Sequence, residues 1–427
     1  MTTGAGMPAG DEPTPRGALA DLRVIELANE RSAFAGKLFA DMGADVILVE
    51  PPGGDAMRTY PPFLEDRPGT DRSLAFWHYH TSKRGIVLDL DSGDGRVSFR
   101  RLVATADVVI ESEEPGRLQA LGLELAALQR EHPRLITISM APFARNGPRA
   151  REQTTDLTLL AGGGPAWSCG YDDHTLPPVR GGGNQGYQTG CHYAFMGALV
   201  ALLYRDRTGR GQHIDVDMHA AQNITTEAGS YTWLVAQQTV QRQTGRHAGV
   251  NPSPQSQVQC ADGRWVTTGF PGRRGDDYRR LLAWLEDSGL REQFAPAPLL
   301  ELGTQHERLD LSRIAIDDEV RAIFGAARDA LVFLASKLPA YEFFTGGQSR
   351  NFQVGIIYSP EEVMEDRHFI DRGFPVRVAH PELGREFTYP GAPYVFHGSP
   401  WKIQRRAPLL GEHTDEVLRD VGAAAAG

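Results

Sequence analysis

Short continuous apolar runs alternate with longer amphipathic stretches over the first 140 residues. LRVIEL (22–27), SAFAGKLFADMG and ADVILVE (44–50) read as strand, helix and strand, with Gly43 closing the helix. RGIVLDL (84–90) predicts a third strand, GRVSFRRLVATA an amphipathic helix, and DVVIES (107–112) and RLITISM (134–140) two further buried strands. Apolar strands separated by helices predict a parallel sheet covered on both faces, a Rossmann-like half. The residues after the first strand are ANERSAFAG, so the GxGxxG fingerprint of a dinucleotide site is missing.

Further along, CHYAFMGALVALLYR (191–205) reads as an apolar helix ended by Gly209 and Gly211, and HIDVDM returns as a strand. From about residue 224 the pattern turns polar and irregular. CADGRWVTTG (260–269) predicts a hairpin turning at Asp262-Gly263, and 274–345 is helical with charged faces. VGIIYS, GFPVRVAH and REFTYP predict strands, and a final helix follows LLGEH. The pattern divides the chain into a flexible tail (1–18), a large domain (19–224), a small α+β domain (225–340) and a C-terminal segment (341–427) that ends in a frayed GAAAAG.

The 427 residues carry a formal net charge of −10 and no strongly basic stretch, which argues against a nucleic-acid partner. The isolated pairs Lys83-Arg84 and Arg405-Arg406 suit a small phosphorylated ligand better than a groove for a polyanion. Cys169, Cys191 and Cys260 form no CxxC pattern, so neither a disulfide framework nor a metal site is expected, and a reducing cytoplasm is the expected location. The first residues lack the apolar core of a signal peptide. No apolar run reaches the roughly 18 residues of a membrane span, and no membrane association is expected.

Several landmarks occur together and in order: LRVIEL, LFADMGADVILVEPPGGDAMR (38–58), SKRGIVLDL (82–90), ADVVIESEEPGRLQALGL (106–123), HPRLITIS, NGPRA, TGRGQHIDVDM, CADGRWV and APLLGEHTDEVL (407–418). In these the chain resembles the class III coenzyme A transferases, a group that includes formyl-CoA transferases, carnitine CoA-transferase-like proteins and α-methylacyl-CoA racemases. The resemblance implies an α/β fold: a Rossmann-like, CoA-binding large domain, a smaller domain and a C-terminal segment returning to the large one. It also implies an interlocked dimer, a homodimer or a pair with a catalytic paralogue. The substrates would be CoA or an acyl-CoA and a carboxylic acid. In the family's chemistry an Asp carboxylate attacks the thioester and forms a mixed anhydride. CoA thiolate then returns to give an enzyme-bound thioester, from which the acceptor acid takes the CoA.

At the position of that aspartate this chain has none. In RGGGNQGYQTG (180–190) the family Asp falls on Gly186 or on Tyr187, depending on the anchor, and the nearest isostere is Asn184, whose amide cannot ionise. The racemases' His-Asp pair is Thr155-Asp156 here, so their His is lost too. Asp156 remains as the candidate catalytic carboxylate, with an N-cap of the helix TLLAGGG as its alternative role. Tyr187 is a candidate donor to a carbonyl. Cys191 is either a thiol nucleophile at a helix start or an inert buried Cys, and His192 and Tyr193 are read first as core or interface residues. Asp172-Asp173-His174 reads as a polar loop.

For CoA, the resemblance points to Glu30, Arg31, Arg58, Lys83, Arg84, Leu88, Ser112 and Gly116. The family's Asn-x-x-Pro-Gly is Ser112–Gly116 here, with Glu113 and Glu114 inside it, and a usual basic residue is Ala120. Arg31 is also a candidate clamp for a substrate carboxylate. The triplets Gly162–Gly164 and Gly181–Gly183 would let backbone N–H groups approach a thioester carbonyl. Three readings follow: a CoA transferase with its nucleophile relocated, a non-catalytic subunit paired with a catalytic paralogue, and an acyl-CoA isomerase or racemase.

Overall fold

The computed structural model describes residues 16–243, 246–249 and 256–424. Positions 1–15 of the expected tail and the last three of the Ala-Gly end lie outside the described residues. Contacts divide the chain into two compact units. The first comprises the chain up to Pro165, Arg180–Glu227 and the chain from Arg367 onward, and the second comprises Ala166–Val179 and Ala228–Asp366.

The first unit is built on six strands: β1 (Arg23–Leu27), β2 (Asp45–Glu50), β3 (Arg84–Val87), β4 (Val108–Glu111), β5 (Ile136–Ala141) and β6 (His213–Asp217). All pair in parallel, in the order β3-β2-β1-β4-β5-β6. Every residue of β4 and β5 is buried, which is why these strands read as unbroken apolar runs. The strand order reverses between β1 and β4. In open α/β sheets the crevice at such a reversal, beyond the carboxyl ends of the strands, is where ligands bind.

Three helices position that crevice: α1 (Ala33–Asp41), α2 (Asp156–Gly163) and α3 (Gln185–Thr208). The apolar face of α3 is made of small residues, Cys191, Ala194, Ala198 and Ala201, which pack in one cluster with Ala35, Phe39 and Ala40 of α1 and the apolar side chains of β5. Gly209 ends α3 in a left-handed conformation (φ 73°), the usual role of a glycine after a helix. The helix starts at Gln185, six residues earlier than the apolar pattern predicts, so most of the expected glycine-rich turn forms its first turns.

In the second unit, helices Gly275–Asp287, Asp318–Lys337 and Ala340–Ser349 enclose a core that includes Tyr278, Leu281, Ile323, Leu334 and Phe343. The hairpin Gln257–Gln259/Trp265–Thr267 turns through Asp262-Gly263, where Gly263 takes φ 82°. Gly355–Ile356 adds a third strand to this sheet, so VGIIYS belongs to the small unit. The sequence pattern closes that unit at residue 340, whereas contacts carry it through Asp366. The hairpin Pro375–His380/Arg385–Pro390 and helix Thr414–Ala424 belong to the first unit. There, His413 and Thr414 bond the edge strand β3 at Gly85 and Val87.

Candidate functional site

The crevice is edged by the residues that follow β1 and β4. After β1 come Glu30 and Arg31, and after β4 come Ser112, Glu113 and Glu114. The Arg31 guanidinium lies 3.6 Å from the Glu114 carboxylate, and Ser112, buried, donates to the Ser32 hydroxyl at 3.3 Å. The Cys191 thiol of α3 donates to the Arg31 carbonyl at 3.1 Å. Burial pushes that thiol up to about 12, so it remains protonated and ties the β1 loop to α3, with no thiolate available for attack.

The family's aspartate position lies in the first turn of α3. Asp156, at the head of α2, sends its carboxylate into that turn. Oδ1 accepts the Tyr187 backbone N–H at 3.0 Å, and Oδ2 accepts from Arg180 at 3.2 Å. Asp156 is 6% exposed. The sequence alternative of an N-cap is therefore realised on another helix: Thr155 caps α2, while the Asp156 carboxylate caps α3. A Cβ at Gly186 would sit 2.9 Å from Asp156 Oδ1 and 3.3 Å from its carbonyl, so a side chain there would require the Asp156 carboxylate to shift. Its carbonyl accepts from the Gln222 amide at 2.7 Å. Asn184 precedes the helix without capping it, and its side chain reaches the Tyr79 hydroxyl, which also accepts from Gln188 at 3.0 Å.

Tyr187, buried along most of its length, extends back across the crevice and donates its hydroxyl to Glu30 Oε1 at 3.4 Å. The Tyr60 phenol reaches the same carboxylate. Burial, reinforced by the charge of Glu30, raises Tyr187 to about 12, which keeps it a donor at working pH. Glu30 is half-buried.

The residues expected at CoA separate into two groups. Gly116 lines a cleft of about 400 Å³ beside β4–β6, with Arg145 and Arg151 on its walls. Glu111, Ser139 and Asp215 stand in register across its floor. Glu111 holds Arg145 at 3.1 Å and accepts from the Ser139 hydroxyl. Leu88 lines a smaller cleft of about 210 Å³ with Asp89, Asp91, Glu113 and Arg117.

Three residues do not fit the expected phosphate contact. Lys83 is fully buried, and its three ammonium donors go to Glu26 (2.7 Å), the Ala33 carbonyl (2.9 Å) and His80 Nδ1 (3.0 Å). Arg58 is also buried: it grips Glu50 through two bonds of 2.6 and 2.7 Å, spends its remaining donors on Asp71, Thr70 and Pro408, and stacks on Phe76. Arg84 is taken by Asp45 and Glu416. All three are structural cations whose donors are already occupied. Arg145 and Arg180 were missed by sequence reasoning. Arg145 follows the carboxyl end of a parallel strand, which is a usable signal; Arg180 has none, since its partner is 24 residues away.

His192 is exposed at the outer side of α3, 5.4 Å from the Phe34 ring. Among the described residues no group of three or more His, Cys, Asp or Glu is placed to hold a metal ion, and no helix is long and apolar enough to cross a membrane.

The parallel sheet thus reverses at β1/β4, and a loop of acids stands where CoA-binding residues are expected. Residues 19–414 match the family described as CoA-transferase family III, and the chain belongs to it. It is 34% identical over 403 residues to a protein of Thauera aromatica named succinyl-CoA:(R)-benzylsuccinate CoA-transferase subunit BbsE, covering 94% of this chain and 93% of that one. It is 31% identical to the succinate–glutarate CoA-transferase of Agrobacterium fabrum, covering 96% and 97%. Among solved structures, a CAIB/BAIF family protein of Brucella suis superposes with a TM-score of 0.76 at 27% identity, covering 95% of this chain and all of that one.

Proposed function

We propose that this chain works in CoA transfer between an acyl-CoA and a carboxylic acid, as one subunit of a transferase whose nucleophilic carboxylate resides on a second, related chain. One observation carries the reading: neither Gly186 nor Tyr187, the two residues at the family aspartate position, supplies a carboxylate, and Asp156, whose carboxylate enters that turn, is committed to capping it. Gly186 is pressed against Asp156 Oδ1, and Asp156 itself spends both oxygens on the Tyr187 N–H and Arg180. Each oxygen keeps a second lone pair, but at 6% exposure the carboxylate is held against the α3 turn, whereas an attacking carboxylate needs an oxygen open to the thioester carbon. The relative named as a subunit is consistent with division of the activity between chains. In the larger cleft, Arg151, which makes no ion pair among the described residues, and Arg145, already held on one side by Glu111 at 3.1 Å, are the cations that would meet CoA phosphates. Co-expression with a family member that keeps the aspartate, followed by native mass spectrometry, tests the assembly. A mixed oligomer supports it; homo-oligomers of each chain argue against it.

A second reading keeps the chemistry in this chain, on Glu30. Tyr187, one of the two residues that fall at the family's aspartate position, donates its hydroxyl to that carboxylate. Glu30 would attack the thioester carbon with release of CoA thiolate, and the neutral phenol would donate to the developing oxyanion. Hydroxylamine trapping during turnover separates the two readings: a hydroxamate on Glu30 favours the second.

A further inference from the structure

A groove of about 510 Å³ in the first unit lies away from the crevice, between the hairpin strand Pro375–His380 and the segment Lys402–His413. Its lining includes Arg377, Lys402, Arg405, Arg406, Glu412 and His413. The cations differ in how they are paired. Arg406 is held by Glu382 and Glu412 at 2.7 Å each, and Arg377 lies 3.5 Å from Glu386. Lys402 and Arg405 are both exposed, and neither makes an ion pair among the described residues. In a chain with a net charge of −10, that local excess of positive charge stands out.

The informative contact is inside the groove. His413 is 8% exposed. The Gly85 backbone N–H donates to its Nδ1 at 3.2 Å. A backbone N–H can only donate, so Nδ1 carries the lone pair and the ring proton sits on Nε2. Nε2 lies 3.4 Å from Arg405 Nη1, which also can only donate. Two donors therefore converge with no acceptor between them. Arg405 is exposed, but the His413 ring is buried, and a buried donor facing a second donor calls for an acceptor such as a water, an ion or a ligand oxygen. The segment is held rigidly for such a role: the Ser82 N–H donates to the Arg405 carbonyl, and the Gln404 N–H to the Ser82 hydroxyl, both at 2.9 Å.

We propose that this groove binds a compact phosphate-class oxyanion, received between Arg405 Nη1 and His413 Nε2–H with Lys402 at its rim. An oxygen of the anion supplies the missing acceptor, and the two unpaired cations balance its charge. The same chemistry is offered by free phosphate and by the phosphate of a nucleotide. The site is separate from the crevice, so the proposal stands or falls independently of the transfer reading.

Calorimetric titration of the full chain with inorganic phosphate, and separately with adenosine 3′,5′-bisphosphate, tests it against a chloride control. Saturable binding of either is expected, weakened roughly tenfold or more by Arg405→Gln, an exposed and fold-neutral change, as expected when a charge-assisted bond is lost. Arg377→Gln, whose guanidinium is already paired, should bind as the parent does. Bisphosphate binding without phosphate binding, weakened by Arg405→Gln, assigns a nucleotide source, and binding of both, weakened together, assigns phosphate itself; bisphosphate binding that the variant leaves unchanged belongs to the Arg145 cleft and overturns the proposal. Absence of saturable binding, or equal binding by Arg405→Gln and the parent, overturns the proposal.

Discussion

Asp156 Oδ1 accepts the backbone N–H of Tyr187 at 3.0 Å, so a carboxylate at the head of α2 caps α3 across 31 residues of sequence. This one bond starts α3 at Gln185 and draws the family's aspartate position into a helical turn. Replacing Asp156 by Ala should cost about 1–2 kcal/mol, the usual value of a helix cap. Asp156→Asn keeps the acceptor but loses the charge facing the helix start, and should cost less. Urea denaturation midpoints of the two variants check the order.

Returning a carboxylate to this position should not be benign. In Gly186→Asp the new Cβ would meet Asp156 Oδ1 at 2.9 Å, and the new charge would lie beside an existing one. A destabilisation of about 2 kcal/mol or more is expected from overpacking and like-charge repulsion. Gly186→Ala should show the steric part alone. Thermal unfolding of both variants separates the two effects.

Lys83 and Glu26 form a fully buried pair beneath α1, in a space made by Gly36, whose Cβ would lie 1.6 Å from Glu26 Oε2. Lys83→Met leaves an uncompensated buried carboxylate and should cost about 3–5 kcal/mol, whereas the double change Glu26→Leu/Lys83→Met should recover much of that loss. A double-mutant cycle in denaturant gives the coupling.

The same cluster predicts the pH profile. Burial depresses His80 from 6.5 to about 3, so its contribution is complete above pH 6.5 and is lost as pH falls toward 3. Burial raises Glu26 from 4.5 to about 7, so its contribution is complete below pH 4.5 and is lost as pH rises toward 7. The two slopes oppose each other between pH 4.5 and 6.5, and below pH 4.5 the His80 loss acts alone. The parent's own stability should therefore fall most steeply below pH 4.5, whereas its difference from His80→Gln, in which the Glu26 contribution cancels, should shrink steadily as pH falls from 6.5 toward 3, measured as urea midpoints across pH.

The sheet was legible because its strands are buried on both faces and leave continuous apolar runs, and the Asp262-Gly263 hairpin because its turn chemistry is local. The start of α3 was not. Gly186 and Gly190 argue locally against a helix, and the cap that overrides them comes from a distant residue. Lys83 and Arg58 are expected at CoA only from their places in the family's landmarks, which say nothing of burial. Their real partners, Glu26 and Glu50, lie inside the apolar runs LRVIEL and ADVILVE. A carboxylate in a strand buried on both faces requires a buried cation, and that signal was present in the sequence.

The most direct test of the central claim is CoA exchange between an acyl-CoA and its isotopically labelled free acid, with succinyl-CoA and succinate as the probe pair because succinyl-CoA is in the name of the Thauera relative. It is measured with this chain alone, and with the chain co-purified with a family member carrying aspartate at the position of Gly186–Tyr187. The account predicts background exchange alone and activity in the mixture, abolished when the partner's aspartate becomes asparagine. Exchange by this chain alone, lost in Glu30→Gln, would contradict it and place the nucleophile on Glu30.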